Sequence, residues 1–307
     1  MNAKRIASFL PSATEILYAL GAGNMIVSAT HECDYPEEAK SKPRVIKSSF
    51  DCTIMSSKEI DDNVVKLVQT GGDMYIVDEQ ILKKADPDLI IAQGLCDVCS
   101  PTRKEISKAV SVLDKKPEVV ILDPHNLDDI FSDITKIAEH IGKTNEAKQL
   151  IGSLQKRIEQ IKNISFKSRP KVLCIEWLDP PFTAGHWVPQ MVEIAGGING
   201  ISEKDKPSRR MKLDEAVLFD PDIIILMPCG FDLDRIGKEY SKLASNPEWK
   251  LLRAVQKDTV YAVDANSYFS KPGPRTVTGI EILTKIIHPE SYGDIIIPDD
   301  SMMKINS

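Results

Sequence analysis

Two segments of the chain carry nearly the same pattern, ADPDLIIA at residues 85–92 and FDPDIIIL at residues 219–226. Each joins an Asp-Pro turn signal to a short run rich in isoleucine, which is typical of a turn that leads into a buried strand. Because one copy lies in each half of the chain, the pair predicts two α/β lobes of similar build.

Short apolar runs alternate with helical stretches around both segments. We expect strands at residues 5–9, 25–29, 88–92, 119–122, 172–175, 223–227 and 260–263. We expect helices at residues 12–20, 188–195, 213–219, 249–255 and 276–287. This alternation favours parallel βαβ units in each lobe, and therefore two Rossmann-like lobes.

A long amphipathic stretch separates the two sets of strands, with apolar residues at helical spacing over residues 145–161. We interpret residues 127–168 as a long rigid interdomain helix joining an N-terminal lobe, residues 1–126, to a C-terminal lobe, residues 169–290. Residues 291–307 form a tail that we expect to be loosely ordered. Ligands of open α/β sheets bind beyond the carboxyl ends of the strands, so we expect a ligand cleft between the lobes.

Composition narrows the function classes. The chain has 307 residues, a net charge of -6 and 6% aromatic residues, a poor match to nucleic-acid binding. It has no apolar run near the ~18 residues that span a bilayer, so we do not expect it to cross a membrane. The N-terminus lacks the apolar region of a signal peptide, which predicts a cytoplasmic protein. An extracytoplasmic protein whose leader was removed is the alternative.

Side chains suited to ligand binding follow the predicted strands. Ser12 follows the first strand, and Glu176, Phe182 and His186 follow the strand at residues 172–175. Arg275, near the start of the last helix, could hold an anionic group of a ligand.

Thiols form a second candidate site. Cys96 and Cys99 have the CxxC spacing that lets two thiolates bind one metal ion or form a disulfide. Cys229 could add a third thiolate, with His31, Cys33 or His186 completing the set. Such ligands suit zinc or an iron–sulfur cluster, and thiols that only line a pocket are the simpler alternative.

Several motifs, in order along roughly residues 4–290, resemble the cobalamin-binding proteins of ABC importers. They are IASFLPSATEILYALG at residues 6–21, CDYP at 33–36, DPPFTAG at 179–185 and the segment from Ser267 to Arg275. The resemblance implies two lobes joined by a rigid helix, with a corrinoid or related metal chelate between them. It also implies aromatic walls for that ligand, here Tyr35, Trp187, Tyr268 and Phe269.

In such importers an acidic residue on each lobe docks onto the permease, and the matching positions here are Glu79 and Glu215. We therefore predict a small-molecule-binding protein of the ABC-importer type rather than an enzyme. The alternative is a cytosolic metalloprotein that uses the cysteines, or an enzyme with Glu176, Asp179 and His186 in acid–base roles.

Overall fold

The computed structural model describes residues 5–94, 103–291, 293 and 295–305. The chain divides into two compact units. The N-terminal unit comprises Met1–Met55, Asp62–Pro124 and Asp128–Ser153, and the C-terminal unit comprises Ser56–Asp61, His125–Leu127 and Leu154–Ser307. Each unit contains its own β-sheet, which confirms the predicted α/β fold class.

The first half of the chain supplies one sheet and the helices around it. Its strands are β1 (Ile6–Ser8), β2 (Ile26–Thr30), β3 (Arg44–Ser48), β4 (Tyr75–Val77), β5 (Leu89–Gln93) and β6 (Glu118–Leu122). Its helices are α1 (Pro11–Ala19), α2 (Ser57–Thr70), α3 (Glu79–Ala85), α4 (Arg103–Ser111), α5 (Leu127–Ile141) and α6 (Thr144–Lys162). The strand order is β4-β3-β2-β1-β5-β6, and all neighbours are parallel except β3 and β4.

The second half supplies the other sheet. Its strands are β7 (Lys171–Leu178), β8 (Pro181–Thr183), β9 (Ile198–Asn199), β10 (Arg209–Arg210), β11 (Ile223–Leu226), β12 (Val260–Val263) and β13 (Met302–Ile305). Its helices are α7 (Val188–Ile194), α8 (Leu213–Phe219), α9 (Leu233–Ala244), α10 (Pro247–Lys250), α11 (Arg253–Gln256), α12 (Ala265–Tyr268) and α13 (Thr276–Ile287). The order is β10-β8-β7-β11-β12-β13, with β9 beside β7. Strands β7, β11 and β12 are parallel.

The two Asp-Pro segments fold alike, as predicted. Helix α3 ends before Asp86 and helix α8 before Asp220, and both aspartates adopt the left-handed conformation, with φ of 39° and 52°. Asp tolerates this conformation better than most residues, and the following proline cannot continue the helix. The chain then enters β5 and β11, which are buried along their whole length.

The stretch predicted as one long helix is two helices, which corrects the prediction. Helix α5 ends at Ile141, and Gly142 turns the chain with a φ of 72°. Glycine pays no steric penalty there, so the turn breaks the helix although the apolar pattern continues. The boundary between the two units falls inside α6, between Ser153 and Leu154. The role of α6 as a rigid connection stays a prediction.

The tail contains a strand, contrary to the expectation that it is loosely ordered. Strand β13 pairs antiparallel with β12 along its whole length, and Ile305 is buried against the sheet. A four-residue strand of sequence MMKI has too little alternation to be recognised from its pattern. It forms because β12 offers an unpaired edge.

Long helices of the C-terminal unit include an amphipathic helix, α9, and a helix buried on nearly all sides, α13. In α9, for example, Ile236, Tyr240 and Leu243 are buried at helical spacing, while charged residues occupy the other face. Within the described ranges, no helix combines the length and the apolar character needed to cross a membrane.

Candidate functional site

Residues 184–187, which we call the His186 loop, connect β8 to α7 in the C-terminal unit. The backbone N–H of His186 donates to the carbonyl of Lys206 at 2.6 Å. A Cβ on Gly185 would lie 2.4 Å from the Ser208 nitrogen and 2.6 Å from the Lys206 oxygen. The loop therefore packs backbone against backbone on residues 206–208. His186 itself has a φ of 54°, an uncommon conformation for a residue other than glycine.

This close packing makes Gly185→Ala destabilising. We expect a loss of about 1–3 kcal/mol, because the backbone of residues 206–208 must move to admit a methyl group. Urea unfolding followed by far-UV circular dichroism measures it, because this signal reports on both units. The matched control is Gly152→Ala in α6, where a Cβ meets nothing within 4 Å. There a gain of about 0.5–1 kcal/mol is expected from helix propensity, and equal stability changes in the two variants would contradict the packing argument.

Two imidazoles and an indole lie together at this loop. The ring of His186 is 5.9 Å from that of His125 and 5.6 Å from that of Trp187, centroid to centroid. His125 follows β6, and its segment is held to α7 by a hydrogen bond from the Leu127 N–H to Gln190 Oε1 at 3.0 Å. His125 was not among the predicted site residues, although its place three residues after the strand predicted at residues 119–122 was the available signal.

Two of the predicted aromatic walls are buried. Trp187 Nε1 donates to the carbonyl of Phe269 at 3.0 Å, and the two residues are only 5% and 3% exposed. Tyr268 is half-buried, with the guanidinium of Arg275 5.7 Å from its ring centroid. The wall role of these three residues stays a prediction, and Tyr268 is the most accessible ring of the three.

Glu176 lies beneath the His186 loop. The pairing of β7 with β8 shifts register between Ile175 and Trp177, so Glu176 is the extra residue of an irregularity in the ladder. Its Oε2 accepts a hydrogen bond from the Gly185 N–H at 3.2 Å. Burial raises the pKa of Glu176, and the hydroxyl of Ser208 and the Gly185 N–H offset part of that rise. Glu176 thus holds the His186 loop in place through its hydrogen bond with the Gly185 N–H.

A second group of aromatic rings lies near the carboxyl ends of β7 and β11. Phe182 has the guanidinium of Arg210 5.6 Å from its ring centroid. Trp177 packs edge-on to Phe231 at 5.2 Å, and the guanidinium of Arg235 lies 3.7 Å over the Phe231 ring. The predicted site residues do not include Trp177, Phe231 or Arg235, although the first two follow the strands predicted at residues 172–175 and 223–227.

The predicted site residues of the N-terminal unit differ widely in exposure. Ser12, in the first turn of α1, is 1% exposed, whereas Tyr35 is 48% exposed. His31 is exposed, with its ring 6.3 Å from that of Tyr75. Among the described ligand and metal candidates of this unit, Tyr35 and His31 therefore present a surface to solvent.

The predicted metal site is not assembled in the described residues. The thiol of Cys33 is buried beside the hydroxyls of Thr14 and Thr30, at 3.1 and 3.5 Å, and burial raises its pKa. Cys229 is half-buried. Cys96 and Cys99 lie outside the described residues. Among those that are described, no group of three His, Cys, Asp or Glu side chains could hold a metal ion. Zinc or an iron–sulfur cluster stays a prediction.

The two predicted docking residues lie in first turns of helices. Glu79 is exposed at the start of α3. Glu215, in α8, pairs with Arg209 through contacts of 2.7 and 3.3 Å and accepts the Lys212 N–H at 2.9 Å. Arg209 and the Lys212 N–H lower the pKa of Glu215. Their docking role stays a prediction.

Two α/β units with aromatic and histidine side chains at strand ends define a class of ligand-binding proteins. This chain belongs to the periplasmic binding protein family, whose model matches residues 6–267. That membership confirms the resemblance noted in the motifs and gives no support to a cytosolic metalloprotein.

Relatives cover nearly the whole chain. It is 26% identical over 300 residues to an uncharacterised ABC transporter substrate-binding lipoprotein of Bacillus subtilis, covering 94% of this chain and 81% of the relative. The periplasmic vitamin B12 binding protein of Vibrio cholerae has a similar crystal structure, with a TM-score of 0.63, 22% identity and coverage of 93% and 96%. A periplasmic heme-binding protein of Roseiflexus gives a TM-score of 0.70, 20% identity and coverage of 94% and 99%. At these identities the solved structures show the fold alone, and they match the two-lobed prediction.

Proposed function

We propose that this protein is the substrate-binding component of an ABC importer and that its ligand is a metal chelate with a flat macrocycle, cobalamin or a related corrinoid. The observation that carries the proposal is the cluster of His125, His186 and Trp187 at the His186 loop. The names of relatives, vitamin B12-binding and heme-binding proteins, support the same ligand class.

The chemistry of these side chains suits such a ligand. Aromatic rings bury a large area of a planar molecule at little entropic loss, and Tyr35, Phe182 and Tyr268 are the accessible rings near strand ends. Neutral imidazole is a ligand for cobalt and iron, a role we assign to His186. Arg275 supplies a cation for a carboxylate or phosphate of the ligand.

We further propose that the protein works outside the cytoplasm and delivers its ligand to a permease. Family membership and the lipoprotein relative support this location, and they do not support the cytoplasmic prediction drawn from the N-terminus. Glu79 and Glu215 are the proposed contacts with the permease.

Titration with cyanocobalamin and, separately, with hemin tests the ligand class. We expect a dissociation constant in the micromolar range or below for at least one of them, by calorimetry and by the shift of the chelate's absorption bands. Tyr268→Ala should weaken binding about tenfold because an aromatic contact is lost. The matched control is Tyr261→Ala, a half-buried tyrosine within β12. Binding of neither chelate, or equal losses in both variants, would count against the proposal.

A further inference from the structure

The first turn of α1 holds donors that the described residues do not use. Its N-cap, Leu10, supplies no side-chain cap within the described chain, and the first turn contains no acidic residue. The backbone N–H groups of Ser12 and Ala13 take part in no hydrogen bond among the described residues. Ser12 Oγ, on a residue 1% exposed, likewise has no partner there. A buried hydroxyl without a partner is unfavourable, so it points to a group that is bound at times.

The neighbouring hydroxyls are already occupied. Ser8 Oγ donates to the carbonyl of Leu10 at 2.9 Å, and Thr14 Oγ1 donates to Ser8 Oγ at 2.8 Å. These bonds fix the turn between β1 and α1. Ser12 is the hydroxyl in this turn that has no partner among the described residues.

This turn lies where open α/β sheets bind ligands. From β1 the chain continues to β2 and β3 on one side, whereas β5 and β6 lie on the other side. The point at which the strand order reverses, the topological switch point, therefore falls between β1 and β5. Helix α1 begins at the carboxyl end of β1. Ligands of such sheets bind at switch points, and helix N-termini there bind anions through free N–H groups and the helix dipole.

We propose that the N-terminus of α1 is an anion subsite of the N-terminal unit. The Ser12 hydroxyl and the N–H groups of Ser12 and Ala13 donate to one anionic oxygen of the ligand, from a phosphodiester or a carboxylate. The inference rests on the proposed function, because a corrinoid carries the first group and a heme the second. Glu15, the one acid in α1, is engaged in an interaction of its own. Because Ser12 is buried, water competes little for the hydrogen bonds to the anionic oxygen, which strengthens them.

Pairs of ligands that differ in the anionic group test the subsite. Cyanocobalamin has a phosphodiester that dicyanocobinamide lacks, and hemin has carboxylates that its dimethyl ester lacks. Ser12→Ala should weaken the affinity for the pair member that carries the anionic group about tenfold, and leave the affinity for the member without it unchanged. Ser12→Asp should weaken the affinity for that member about a hundredfold, because its carboxylate repels the anionic group.

The matched control is Ser28→Ala, since Ser28 Oγ in β2 is also buried without a partner among the described residues. It should leave both affinities unchanged. Equal losses for both members of a pair, or no loss, would overturn the subsite.

If wild type binds no chelate, the proposed function fails but the subsite is still measurable. Inorganic phosphate should shift the Ala13 amide signal of protein labelled with 15N-alanine, and should not do so in Ser12→Asp. Absence of that shift in wild type would overturn the subsite itself.

Discussion

Replacing Asp133 by Asn should stabilise the protein, and by about 2–3 kcal/mol more at pH 8 than at pH 5. Asp133 lies in α5, is 8% exposed, and its Oδ2 has no hydrogen-bond partner in the described part of the chain. Burial raises its pKa to about 7, the Lys136 ammonium opposes the rise, and the carboxylates of Asp129 and Asp123 add to it.

The sign follows from proton binding. The unfolded chain loses the Asp133 proton near pH 4, whereas the folded chain keeps it to about pH 7. Stability is thus highest below the unfolded pKa and falls as the pH rises through this window, after which the loss is constant. Asn has the shape of the protonated acid and never ionises, so its advantage grows with pH.

Urea unfolding followed by far-UV circular dichroism at pH 5 and pH 8 measures this difference. Tryptophan fluorescence is unsuitable, because Trp177, Trp187 and Trp249 all lie in the C-terminal unit whereas Asp133 lies in the N-terminal unit. The matched control is Asp128→Asn, an exposed position on the same helix, where we expect a small change that is equal at both pH values. The same stability change in Asp133→Asn at both pH values would show that the carboxyl ionises normally.

Asp133 also shows what an apolar pattern in the sequence can predict and what it cannot. Ile130, Ile134 and Ile137 are buried at helical spacing, and Asp133 lies three residues after the first of them, on the same face. The spacing alone predicts that this aspartate is shielded. It does not predict the nearby charges of Asp123 and Lys136, which depend on how β6 and α5 pack.

The central strands were predictable because each one is apolar along its whole length. Strands β5 and β11 are buried on both faces and follow an Asp-Pro turn, so local sequence determines them. Strands β8, β10 and β13 have two to four residues and form only because a neighbour offers an edge. No local pattern distinguishes such segments from loops.

The sequence predicted which loops carry the candidate site, but not which side chains of those loops face solvent. The sequence places Glu176 and His186 after the same predicted strand, and in the structure the N–H of Gly185, next to His186, donates to Glu176 Oε2. Whether a ring faces solvent depends on packing between distant segments. The hydrogen bond from Trp187 to the Phe269 carbonyl joins residues 82 positions apart and buries both side chains.

Arg157→Met should destabilise the C-terminal unit by about 2–4 kcal/mol, the largest loss expected from any ion pair among the described residues. Arg157 Nε and Nη2 donate to the two carboxylate oxygens of Glu281 at 2.8 and 2.6 Å, and Nη2 also donates to Thr278 Oγ1 at 2.8 Å. The Glu281 side chain is 11% exposed, so the variant leaves a carboxylate buried without its cation. The guanidinium is about one-third exposed, which places the expected loss below that of a fully buried pair.

Tryptophan fluorescence during urea unfolding follows this unit selectively, because all three tryptophans of the chain lie in it. Lys162→Met is the matched control on the same helix, because its pair with Glu159 is exposed and should contribute less than about 0.5 kcal/mol. The double variant Arg157→Met with Glu281→Leu should recover most of the loss. An apolar pair removes the stranded charge together with its partner, and replacing both members of a buried pair is often neutral. A double variant as unstable as Arg157→Met would instead assign the loss to packing of the Arg157 side chain against α13, and not to the buried carboxylate.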